Sequence, residues 1–295
     1  MNRKRRLLIP LFLAALVAAA MPLTALAATD PGLGSSGNYA VLASSTITNT
    51  GPSWITGQLA LSPDTASSIT GFPPGTSGHQ DAANGAALNA RNAATNAYNV
   101  AAGEAPTATL TTDLGGKTLV PGVYKYTSSA GLTGTVTLDG GGSSTGVWIF
   151  QIGSTLTTAS SSRVLLINGA QPCDIFWQVG SSAVIGTATT FVGTILANTS
   201  ITMTTGATLN GRALASLGTD GAVTLDTNRI IQPSGCGYPV PTYVPPPVGN
   251  ILPATLGVPS ELLAEIPWLL VIGIGTGGAA LALVVSSRRR RRSSV

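Results

Sequence analysis

One short pattern returns along the second half of the chain at a nearly constant interval. Trp177-Gln178-Val179-Gly180-Ser181-Ser182-Ala183 aligns with Ile195-Leu196-Ala197-Asn198-Thr199-Ser200-Ile201 at an offset of 18 residues. The same offset carries residues 193–197 onto 211–215 and residues 187–191 onto 205–209. One unit earlier, Phe150-Gln151-Ile152-Gly153-Ser154 matches Trp177-Gln178-Val179-Gly180-Ser181 at an offset of 27, so that unit carries an insertion. A β-branched unit this short, rich in Gly and Ser, cannot bury an apolar face alone, whereas stacked copies bury one continuously. The expected fold is mainly β: a right-handed parallel β-solenoid, or β-helix, whose short strands meet at Gly, Asn and Ser corners.

The β pattern begins early. Residues 45–51 alternate toward a turn glycine, and residues 55–61 read as a further strand. Between these first coils and the repeat, residues 79–102 change character. Ala83, Ala87, Ala90, Ala94, Ala97 and Ala101 recur at steps of four and three, which places them on one face of a long α-helix. Ser77 or Asp81 is positioned to cap its start, and Gly103 and Pro106 end it. An all-alanine face permits close approach, so the helix is expected to pack along one side of the solenoid. The lone His79 reads as a capping or solvated residue rather than a metal ligand.

The two ends have their own grammar. Basic residues 3–6, an apolar run over 7–20 and Ala25-Leu26-Ala27 compose a secretory signal peptide over residues 1–27. The solenoid domain is expected over 28–237, followed by a Pro-rich extended spacer over 238–266. Residues 268–285 form an uncharged apolar run, so a C-terminal transmembrane helix is expected over 267–287. Arg288 to Arg292 then hold the tail 288–295 in the cytoplasm and everything upstream outside. Leu252-Pro253-Ala254-Thr255 resembles a sortase sorting signal, except that Leu256 stands where that signal carries Gly. The chain is therefore expected at the cell surface, anchored in the membrane. In an oxidising compartment its two cysteines, Cys173 and Cys236, are expected to pair.

Charge narrows function. Charged residues make up 9% of the sequence, and nine of its fifteen Lys and Arg lie at the extreme ends. The body keeps six bases against eleven acids, with no basic footprint for nucleic acid. The Gly140 to Gly142 run has neither the Lys-Ser nor the helix of a phosphate loop. Acids between residues 113 and 226 sit mostly beside turns, not in the clusters that polysaccharide cleavage uses. No enzyme activity, cofactor or metal is expected, and the molecule is expected to act as a monomer.

The stretches Leu33-Gly34 through Asn49-Thr50-Gly51-Pro52, Gly71-Phe72-Pro73-Pro74-Gly75, Asp113-Leu114-Gly115-Gly116 through Pro121-Gly122-Val123-Tyr124, Phe150 to Ser154, Phe176 to Ser181 and Asn198 to Ile201 resemble the bacterial and fungal ice-binding proteins. That resemblance implies a discontinuous β-solenoid accompanied by an α-helix, with ice or ordered water as the partner. Some members carry a Thr-Ala/Gly-x-Thr/Asn pattern on the ice-binding face. Here Thr187-Ala188-Thr189-Thr190 and Thr205-Gly206-Ala207-Thr208 match it, and Thr158-Ala159-Ser160-Ser161 matches except at its end. The candidate face residues are thus Thr158, Thr187, Thr190, Thr205 and Thr208. Strict alternation turns Phe191, Gly193, Ile195, Ala197, Ile201 and Met203 inward and Thr190, Thr194, Thr202, Thr204 and Thr208 outward, with Gln178 on another outward face. The same flat face would equally serve a surface adhesin that binds glycan or a partner cell.

Overall fold

The computed structural model describes residues 27–215 and 220–235 of the 295. The signal peptide, Cys236, the spacer, the Leu252-Pro253-Ala254-Thr255 motif, the apolar run and the arginine tail lie outside the described residues. Among the described residues no helix is long and apolar enough to cross a membrane.

Every strand pairing among the described residues is parallel, and the 18-residue repeat is the register itself. Trp177 pairs with Ile195, Gly193 with Gly211 and Thr190 with Thr208, while the 27-residue step pairs Phe150 with Trp177. A fourteen-stranded sheet covers two sides of the coil and a seven-stranded sheet covers the remaining side. The larger sheet bends within the long strands Thr190–Ala197 and Thr208–Ala215. Gly193 sits at that bend with φ 109, and a Cβ on Gly211 would stand 1.9 Å from the Gly193 carbonyl oxygen. Only glycine fits both places.

Spatial order departs from chain order at one point. Along the first side the strands run Ala108–Thr109, Gly122–Tyr126, Trp148–Ile152, Ile175–Val179, Thr190–Ala197 and Thr208–Ala215. The sequence-first strand Tyr39–Ala43 comes next, and Gln58–Leu61 and Gln80–Ala82 follow it. The first coil therefore stacks on the last. Nine strands at about 4.8 Å spacing extend roughly 38 Å, and the chain must cross that distance between Ala82 and Ala108. The helix α1 (Gly85–Gly103) does so, its 19 residues covering about 28 Å and the extended residues at each end the rest.

The helix is shorter at its start than the alanine spacing predicts. Gln80–Ala82 adds a strand to the sheet edge, and Ala83 has φ 50, which no helix accommodates. Neither Ser77 nor Asp81 is the cap. Asn84 is, its side-chain oxygen accepting from the Ala87 N–H at 2.9 Å. Ala87, Ala90, Ala94, Ala97 and Ala101 are fully buried against Leu42, Ala60, Val123, Ile149, Phe176, Leu196 and Leu214, the outward side chains of the first side. Thr194 and Gln178, which alternation turns outward, are buried as well, because that outward surface is covered.

Inside the coil the alternate side chains of all three sides meet. Phe150 stacks on Trp177 with ring centroids 3.9 Å apart, continued by Tyr124 at 5.6 Å and Phe191 at 4.8 Å. The buried indole N–H groups are satisfied, Trp148 donating to the Leu119 carbonyl and Trp177 to that of Val192. At the other end of α1, Gln151 donates to the Ala101 and Glu104 carbonyls, each at 2.8 Å, and closes the helix. Cys173 is not a free thiol.

Asp81 ties the helix entrance to the first coil. It accepts from the Tyr39 hydroxyl and the Asn84 amide, each at 2.7 Å, with His79 Nε2 at 3.4 Å. Burial works to raise the Asp81 pKa. The hydrogen bonds from Asn84 and Tyr39, with His79 nearby, outweigh it and hold the carboxyl below its ordinary value.

Two outcomes are expected. Ala94→Leu inserts bulk where the helix meets the sheet and should cost about 1–3 kcal/mol in urea unfolding, whereas Asn92→Leu on the exposed side should change stability by less than about 0.5 kcal/mol. A folded-state pKa below the unfolded one means that Asp81 stabilises above the unfolded value, near 3.9, and that this contribution is lost as pH falls through the folded value. Melting temperature should therefore drop on acidification below about pH 4, and Asp81→Asn should flatten that part of the profile.

Candidate functional site

The seven-stranded sheet is built from Ala130–Leu132, Leu156–Thr158, Ala183–Ile185, Ser200–Met203, Ala222–Asp226, Thr46–Thr50 and Ile69–Thr70, in that spatial order. Four of the strands have an apolar-x-apolar triplet at their centre, while in Leu156–Thr158 and Thr46–Thr50 the second buried position is the polar Thr158 or Asn49, and Ile69–Thr70 has two residues only. The flanking side chains Ala130, Leu132, Leu156, Ala183, Ile185, Ile201, Met203, Val223, Leu225 and Ile47 enter the core, so the middle residue of each triplet must face out. Register then places Gly131, Thr157, Val184, Thr202, Thr224, Thr48 and Thr70 in one column across the sheet. Neighbours in such a column stand about 4.8 Å apart. Thr48 and Thr224 hydroxyls lie 3.5 Å from each other.

Two flanking columns carry hydroxyls too. On one side Ser129 pairs with Thr155 at 2.7 Å and Ser182 with Ser200 at 2.9 Å, and Ser200, Ala222 and Thr46 follow in register. On the other, Thr187 lies 3.2 Å from Thr204, and Asp226 is in register with Thr50. Asp226 is the acid at this margin, and its two oxygens accept from the Thr205 and Thr227 hydroxyls. The central column holds no ionisable side chain at all. What results along the Thr202, Thr224, Thr48 and Thr70 rungs is a field of methyl and hydroxyl groups with its carboxylate at the margin.

Of the five candidate threonines, Thr187 and Thr205 reach the margin of this field and the other three lie off it. Thr158 is 4% exposed and turned inward; its Oγ accepts from the Gly186 N–H at 2.8 Å and lies 3.2 Å from the Thr189 hydroxyl. It holds a corner and cannot form part of a surface. Thr187 and Thr205 are exposed on turns at the edge of the seven-stranded sheet. Thr190 and Thr208 lie around the corner on the third side, in register with Arg163, Arg229 and Trp54. There Arg229 stacks over the Trp54 ring at 4.7 Å, so that column mixes cations and an aromatic with its threonines.

The Thr-Ala/Gly-x-Thr pattern thus has a structural cause. Its second residue takes positive φ, 56 for Ala188 and 72 for Gly206, and its third is buried at Thr189 and Ala207. The pattern writes the corner between two sides. The uniform column was readable from a different signal, a threonine between two core residues, as in Ile47-Thr48-Asn49, Ile201-Thr202-Met203 and Val223-Thr224-Leu225. Alternation did turn Thr202 outward, as found.

A three-sided parallel coil with one side helix-covered and another a flat hydroxyl-bearing sheet defines a surface-binding scaffold. The chain belongs to the ice-binding-like family, whose model matches residues 41–231. An ice-binding protein from Nostoc sp. (strain HG1) is 47% identical over 244 residues, covering 81% of this chain and 87% of that protein. Among solved structures, an ice binding protein from an Antarctic biological consortium is 46% identical with a TM-score of 0.67, covering 72% of this chain and 95% of that one. An ice-binding protein from the Antarctic ascomycete Antarctomyces psychrotrophicus is 38% identical with a TM-score of 0.66, covering 70% of this chain and 99% of that one.

Proposed function

We propose that this protein adsorbs to ice through the outward surface of its seven-stranded sheet and acts as a binding protein without enzymatic chemistry. The observation that carries the reading is the in-register run Thr202, Thr224, Thr48 and Thr70 on a flat surface. Water beside an ionised group orients around the charge. Beside evenly spaced methyls and hydroxyls it is free to adopt a lattice continuous with ice, the methyls excluding water and the hydroxyls anchoring it. A planar solid asks for an open face, whereas a small ligand asks for an enclosing cleft.

The sequence extends the proposal to the cell. Export by the signal over 1–27 and retention by the apolar segment 267–287 would present the solenoid outside the membrane, on a spacer rich in proline, with right-handed winding as parallel crossovers favour. A disulfide between Cys173 and Cys236 fits the same compartment. Cys173 lines a cleft with Gln232, Pro233 and Ser234, which brings it beside the segment that leads to Cys236.

Purified protein should show thermal hysteresis and inhibit ice recrystallisation. Thr48→Tyr should abolish most of that activity, and Thr190→Tyr on the third side should retain it, both melting with the parent. An inactive parent retained on a glycan array would favour an adhesin instead. For the disulfide, mass spectrometry of non-reduced, alkylated protein should find both cysteines unmodified in a monomer. A link across about 60 residues contributes roughly 4 kcal/mol, so Cys173→Ser should lower the melting temperature.

A further inference from the structure

The open face changes character along its length. Thr202, Thr224, Thr48 and Thr70 occupy four adjacent rungs, each directly in register with the next. The next rung carries Val184, which has the shape of threonine without the hydroxyl and is 36% exposed. Beyond Thr157 the last rung offers Gly131. No side chain stands there, and a Cβ would meet the Asp113 carboxylate at 2.8 Å. That carboxylate is fixed in place, its Oδ1 accepting from the Gly115 and Thr133 N–H groups and its Oδ2 from the Thr133 hydroxyl. One half of the face therefore repeats a single group, and the other has a missing hydroxyl, a missing side chain and a charge.

We infer that adsorption is confined to the half where the first and last coils meet, and that Val184 is the residue that ends the binding array. The inference rests on the reading that this face binds ice. A water layer in register with a lattice propagates only while each rung presents the same group in the same orientation. β-Branched threonine in one backbone environment supplies that orientation, because χ1 is restricted. At Val184 the layer loses its anchor, so Thr157 stands isolated between two rungs that cannot continue it. The array also exists only in the folded chain: Thr48 and Thr224 are 176 residues apart in sequence and adjacent in space.

The full-length protein and three single variants separate the possibilities by thermal hysteresis, with melting curves as the control. Thr224→Tyr places a ring in the middle of the four-threonine run and is expected to lose most of the activity. Thr157→Tyr puts the same ring beyond Val184 and is expected to keep most of it. Val184→Thr joins Thr157 to the run and is expected to raise hysteresis above the parent with an unchanged melting temperature. If Thr224→Tyr folds poorly, Thr224→Val removes the hydroxyl alone and is expected to show a partial loss. Equal losses at Thr224 and Thr157, or no gain at Val184, overturn the inference while the face reading stands. An active parent indifferent to both tyrosines overturns the inference and the face together, and a parent without hysteresis overturns the function itself.

Discussion

Hydrogen bonding between parallel coils in register is the constraint that the rest of the molecule answers to. The strands are two to eight residues long, too short to stand alone, and each satisfies its backbone only through neighbouring coils. Closing the last coil with the first, by pairing Tyr39–Ala43 against Thr208–Ala215, gives both a partner but strands the chain at the wrong end of the stack. It must then travel across the rungs. A strand running perpendicular to them would leave its own N–H and C=O groups unpaired. A helix satisfies its backbone internally, which makes it the backbone conformation suited to that return.

The helix in turn dictates how the three sides differ. A close approach across seven rungs needs a smooth apolar sheet surface and small side chains facing it, and Ala87 to Ala101 over Leu42, Ala60, Val123, Ile149, Phe176, Leu196 and Leu214 supply both. That side is then spent as a binding surface. The third side bends with the larger sheet and carries Arg163, Arg229 and Trp54 among its threonines. Among the described residues the seven-stranded side is left uncovered, and the central column of its Thr202, Thr224, Thr48 and Thr70 rungs carries no charge.

What could be read from the sequence follows from which of these constraints is local. Coil register is local, since consecutive coils repeat the same side chains, so the offsets of 18 and 27 give the pairings of Trp177 with Ile195 and Phe150 with Trp177 directly. The alanine face of the helix is local too. Its start is not, because Ala83 falls on the alanine spacing while Gln80–Ala82 just before it pair with the sheet edge at Leu59, Ala60 and Leu61. The placement of the first coil beyond the last is not local. It rests on contacts between residues more than 170 apart, and the column that contains Thr48 and Thr224 is hidden with it. The short threonine pattern drew attention to corners instead, because Ala188 and Gly206 meet a backbone demand that any coil of this shape makes.

Hydroxyl chemistry alone does not separate the central column from its neighbours, since serines and threonines flank it on both sides. Stiffness does. Serine has three accessible rotamers, and on this sheet its hydroxyl turns sideways to a neighbour, as Ser182 does to Ser200 and Ser129 to Thr155. The one such contact in the central column, Thr48 to Thr224 at 3.5 Å, joins two β-branched side chains instead. Threonine in a strand is held at χ1 by its own methyl, so the entropy of fixing the array is lost on folding and not again on binding. An interface with a solid needs that economy, because no pocket closes around the ligand and each contact is individually weak. The folded scaffold must present every group already aligned, and a parallel coil does this by making each rung the template for the next.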